Sequence, residues 1–130
     1  MNKKISIAID AMGGENSPDK TINGLSFFLK KNKNKDDFVI KLYGDEKKIK
    51  QKIEKYSVPK EKIEIIHTES EVSDEETPLT AIKNSKNTSM WNCIKSQIDG
   101  KSDISLSAGN TGVLLVISRM ILKMMDQVSK

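Results

Sequence analysis

IAIDAMGGENSPDK, residues 7 to 20, runs from an apolar stretch into an acid, two glycines and a helix-start signature. With KIS before it, the β-branched run predicts a buried strand over residues 4 to 11. Ser17 is placed as an N-cap, Pro18 as the first helical residue, and Asp19 at the positive end of the helix dipole. Ile22, Leu25, Phe28 and Leu29 follow at helical spacing. A strand that hands over to a helix through Gly13 and Gly14 gives up packing and conformational entropy there. That loss needs a reason: a positive φ angle, or a ligand close to the main chain.

The alternation continues outward from this unit. DFVIKLYG reads as a second strand ended by Gly44, and Asp45 caps a helix carrying Ile49, Ile53 and Tyr56 on one stripe. KIEIIH is a third strand, TESEVSDEE an acidic loop, and Pro78 opens a helix through Ala81 and Ile82. SMWNCIKSQIDG gives another helix, capped by Ser89 and stopped by Gly100. SDISLS is a fourth strand, followed by AGNTG and an apolar helix from Thr111 to Met125. Strands alternating with crossover-length helices predict an α/β fold, an open, mostly parallel sheet with helices on both faces. The last helix is interrupted by Arg119 and Lys123, short of about 18 clean apolar residues, so it reads as buried on more than one side.

The 130 residues fit one domain, and 36% hydrophobic content supports a core. The net charge of +4 is carried almost wholly by lysine, since Arg119 is the single arginine. Without arginine's planar fork or interleaved aromatics, the lysine runs read as solvated helix faces and not as a nucleic-acid surface. The single cysteine, Cys93, excludes an internal disulfide and a cysteine-rich metal site, and it shares a face with Met90 and Ile94 as a core residue. MNKKISIAID holds too short an apolar run for a secretory signal, so the expected location is cytoplasmic.

DAMGGEN and SAGNTG both follow strands and precede helices, so both fall on the carboxyl edge of a parallel sheet. Exposed backbone amides and a helix start there suit a phosphate or carboxylate, with Asn110 and Thr111 as further donors. Neither segment is a dinucleotide or Walker signature: AGNTG lacks the third glycine spacing and no lysine follows it. His67 stands without a serine or cysteine partner and reads as structural, and the acids from Glu69 to Glu76 read as a solvated loop.

IDAMGGEN-P at the N-terminus, KNTSM at 86 to 90 and SAGNTG at 107 to 112 stand in the order and spacing of a known group. The whole chain resembles the N-terminal part of the bacterial phosphate acyltransferases, the PlsX family. The resemblance implies a layered α/β/α fold similar to isopropylmalate dehydrogenases, a homodimer, no cofactor or metal, and peripheral membrane association. It implies that inorganic phosphate attacks the thioester of an acylated acyl carrier protein to give an acyl phosphate for glycerophospholipid synthesis. On that basis the phosphate site is expected at Asp10, Gly13, Gly14, Lys86, Ser89, Gly109, Asn110, Thr111 and Gly112, with Asp10 orienting its loop. Two positions depart from the family: Glu15 where it has aspartate, and Lys83 where it has arginine. Family members are more than twice as long, so this chain is expected to be one N-terminal segment with weak or absent turnover alone. The alternative class is a non-catalytic phosphate- or nucleotide-binding α/β module.

Overall fold

The computed structural model describes residues 3 to 73, 75 to 80 and 86 to 122. Its elements in chain order are β1 (Ile5–Asp10), α1 (Asp19–Lys31), β2 (Phe38–Gly44), α2 (Glu46–Lys55), β3 (Ile63–His67), α3 (Ser89–Ile98), β4 (Ile104–Leu106) and α4 (Thr111–Ile121). The strands form one sheet in the order β3-β2-β1-β4, and each pairing is parallel. The expected α/β class and parallel sheet are therefore observed. Lys83 and the helix expected through Ala81 and Ile82 lie outside the described residues.

Alternation along the strands separates two cores. Ile40 and Leu42 of β2 turn to one face, where Ile22, Leu25 and Leu29 of α1 and Ile49 and Ile53 of α2 bury them. Ala8 and Tyr43 turn to the other face and meet Cys93 of α3. A third cluster joins Val72, Met90 and Ile94 to Val113 and Ile117, so α4 packs on α3. The last helix buries one stripe only, because Leu115 and Met120 face outward with 66% and 55% exposure. The expectation of burial on several sides fails because α3 and the Val72 loop are what pack against it among the described residues.

Two caps also differ from expectation. Ser17 Oγ donates 2.5 Å to the Gly13 carbonyl instead of accepting from a helix amide, so α1 starts at Asp19 with Pro18 before it. Thr88, not Ser89, caps α3: its Oγ1 accepts from Trp91 N at 3.1 Å. Asp45 caps α2 as expected, accepting from Lys47 N and Lys48 N. His67 is structural, its Nδ1 accepting from Glu46 N at 3.1 Å while Nε2 lies 3.1 Å from Glu69 Oε1.

α1 and α2 are tied at their ends by Asp19, which receives Tyr56 Oη at 2.7 Å, Lys55 Nζ at 2.9 Å and Lys52 Nζ at 3.1 Å. These donors, Tyr56 first, hold the Asp19 carboxyl well below the usual carboxylate range. A lowered folded-state pKa stabilises fully above the unfolded value, and the contribution declines below that value until pH has fallen through the folded one. Asp19 is solvated, so the effect is modest. Asp19→Asn should lower Tm at pH 7, and the gap from the wild type should be smaller at pH 2.5, where the unfolded carboxyl is protonated. A gap of equal size at both pH values would contradict the cluster's role.

Candidate functional site

The sheet order creates a switch point between β1 and β4. From β1 the chain winds outward to β2 and β3 beneath α1 and α2, then crosses over through α3 to β4 on the other side of β1. In open parallel sheets such a switch opens a crevice outside the carboxyl ends of the strands. Register makes the meeting specific: Ile9 pairs with Leu106, so Asp10 and Ser107 leave the sheet side by side. The two glycine segments singled out in the sequence follow those residues.

Asp10 is 2% exposed. Burial pushes its carboxyl up from the usual carboxylate range; Ser89, Ser107 and the amides of Met12 and Gly13 oppose that shift. Its Oδ1 accepts from Met12 N at 3.2 Å, and its Oδ2 accepts from Ser107 Oγ at 2.9 Å. Ser107 Oγ in turn accepts from Gly109 N at 3.1 Å. The Ser89 hydroxyl, fully buried at the start of α3, favours the charged carboxylate but reaches no partner in full hydrogen-bond geometry.

Gly13 sits on top of this chain of bonds. A Cβ there would lie 2.7 Å from Asp10 Oδ2, 2.9 Å from Gly109 N and 2.9 Å from Ser107 Oγ, too close for any side chain. Gly14 has a φ of +92°, and a Cβ would meet the Ala108 carbonyl oxygen at 3.0 Å. Both reasons for giving up side chains thus apply, to neighbouring residues: close approach at Gly13, positive φ at Gly14.

Of the expected site residues, Asp10, Gly13, Gly14, Ser89 and Gly109 come together at this junction. Asn110 lies at the start of α4 with its side chain engaged: Oδ1 accepts from Val113 N at 3.2 Å, and Nδ2 donates to Glu76 O at 2.7 Å and Ser73 O at 3.3 Å. It anchors the acidic loop to α4. Thr111 and Gly112 are the first residues of α4, where amides lack intrahelical partners, and Gly112 packs beside Pro78. Lys86 is exposed in the turn before α3 and makes no ion pair among the described residues.

An open cleft of about 340 Å³ runs along the first loop, lined by Gly13, Gly14, Glu15, Ser17, Lys20, Thr21 and Ala108. Ser107 and Lys20 were not singled out in the sequence. Ser107 lay inside the SAGNTG motif, but its meeting with Asp10 depends on strand order and register. Among the described residues no group of three His, Cys, Asp or Glu side chains is placed to hold a metal ion.

Cys93 lies beneath the junction, fully buried, with Sγ 3.7 Å from the Leu106 carbonyl oxygen. Burial, reinforced by the Asp10 charge, pushes its thiol up to about 12. A thiol of that kind is no nucleophile near neutral pH. Iodoacetamide at pH 8 should leave native Cys93 unmodified and alkylate it in urea, as read by intact mass; rapid labelling of the folded chain would contradict this.

The fold and the loop pair define a class, the open parallel α/β domains whose candidate ligand crevice lies at a topological switch point. The chain belongs to the family described as fatty acid synthesis protein, which it matches over residues 5 to 130. It is 47% identical over 130 residues to a phosphate acyltransferase of Pelagibacter ubique, covering 100% of this chain and 38% of that protein. It is 43% identical over 109 residues to a phosphate acyltransferase of Streptococcus pneumoniae, covering 84% of this chain and 31% of that protein. The chain therefore spans well under half the length of these curated relatives.

Proposed function

We propose that this chain supplies the phosphate-binding part of an acyltransferase that moves an acyl group from acyl carrier protein to inorganic phosphate. The observation that carries this reading is the convergence of the two glycine loops on the Asp10–Ser107–Gly109 hydrogen-bond chain, rooted in the buried Asp10, at the switch point. In the reaction a phosphate oxygen attacks the thioester carbon, the new C–O bond forms and the C–S bond breaks. The thiolate then leaves and takes up a proton. No nucleophilic side chain is needed, and Cys93 is buried and protonated.

The work left to the protein is to position phosphate and stabilise charge with preorganised dipoles. In this proposal the Gly13–Gly14 loop and the first amides of α4, Thr111 and Gly112, face the anion. Lys20 at the rim of the cleft offsets the charge of Glu15. Asp10 orients the loops and does not itself contact the phosphate, since both of its oxygens are engaged within the protein. The family and the names of the relatives support an acyl substrate and a role in lipid synthesis. Acyl carrier protein as donor, a homodimer and peripheral association with a membrane belong to the same proposal. No helix among the described residues is long and apolar enough to cross a membrane.

Inorganic phosphate should shift the backbone amide resonances of residues 13 to 15 and 111 to 112. Gly14→Ala, strained at its positive φ, should weaken phosphate binding about tenfold and cost on the order of 1 kcal/mol in stability. Spectra unmoved by phosphate would contradict the site. Acyl phosphate formed when acylated carrier protein is supplied would exclude a non-catalytic binding module; binding without turnover is the outcome expected of a chain that supplies the phosphate-binding part alone.

A further inference from the structure

We propose that Ser107 is a positioning residue of this site, a hydroxyl clamp that holds the second glycine loop against the first; the proposal rests on the phosphate reading above. Serine has one donor and two acceptor lone pairs on a single-carbon stem. Here the donor goes to Asp10 Oδ2 at 2.9 Å, and an acceptor position takes Gly109 N at 3.1 Å. The other Asp10 oxygen takes Met12 N at 3.2 Å, from the first loop. One buried carboxylate is therefore bonded to both loops, directly to one and through Ser107 to the other.

The spacing leaves no slack. Gly13 packs so closely that a Cβ on it would sit 2.9 Å from both Ser107 Oγ and Gly109 N. A Cβ on Gly109 would meet Met90 Cε at 2.8 Å, Ser107 Oγ at 3.2 Å and Gly13 Cα at 3.4 Å. The Gly109 segment thus packs closely against both Gly13 and Met90, and the Ser107 bond fixes which way its amide points. That amide is spent on the clamp, so Gly109 shapes the site without donating to the anion. The anion is left to the amides on either side of it, at Gly14 and at the start of α4. Loss of the Ser107 hydroxyl removes the donor to a buried carboxylate and the acceptor of a loop amide together, with no change in the charge of the cleft.

Amide hydrogen exchange and phosphate affinity of the 130-residue chain test the clamp. Ser107→Ala should speed exchange of the Gly109 amide at least tenfold while amides of β1 and β2 keep their protection. The same variant should raise the Kd for inorganic phosphate about tenfold. Ser107→Cys, similar in size with a poorer hydrogen-bonding atom, should do the same to a lesser degree and serves if the alanine variant does not fold. Ser105→Ala, which removes a β4 hydroxyl that donates to Gln97 of α3, should leave Gly109 exchange unchanged. Gly109 protection that survives in Ser107→Ala, or in Ser107→Cys where that is the variant that folds, would overturn the clamp. A wild type that ignores phosphate would overturn the phosphate reading instead, with Gly109 exchange still deciding the clamp.

Discussion

A carboxylate buried at the end of β1 must be matched by donors, and the positions of the surrounding loops follow from that need. An uncompensated charge in a protein interior is costly, so a buried acid persists only where hydrogen bonds replace its lost water. Asp10 finds its donors on both sides of the switch point: Met12 in its own loop and Ser107 at the end of β4. Parallel pairing of Ile9 with Leu106 makes the second donor available. A one-residue slip in that register would turn Ser107 to the opposite face and leave the carboxylate unmatched on that side.

The same requirement links the site to the core beneath it. α3 begins at Ser89 beside Asp10 and places Cys93 against Ala8 and Tyr43 on the sheet. Its Met90 and Ile94 meet Val113 and Ile117 of α4, so one helix supports the buried acid and the helix that follows the second loop. Loop geometry and core packing on this face are therefore coupled. The acidic loop joins them through Asn110, whose side chain caps α4 and holds the carbonyls of Ser73 and Glu76.

Much of this was legible in the sequence, because local signals agreed with the fold. β-branched runs gave the strands, Asp45 gave the start of α2, and the glycine pair marked a backbone under constraint. The caps of α1 and α3 depart from the local signal where neighbouring hydroxyls compete: Ser17 turns back to Gly13, and Thr88 takes the role expected of Ser89. What sequence could not supply was adjacency. That β4 lies beside β1, and not beyond β3, is a matter of crossover direction, and only this order joins Ser107 to Asp10. The bonds of Asn110 to the acidic loop are hidden for a related reason, since nothing local reveals that this loop claims its amide.

The most direct test of a single anion site built by the two loops is a crystal structure of this chain grown with inorganic phosphate. The phosphate should lie at the β1–β4 switch point, with oxygen atoms within hydrogen-bond distance of the Gly14 amide and of an amide in the first turn of α4. A loop junction left empty at saturating phosphate, or phosphate bound only elsewhere on the surface, would contradict it.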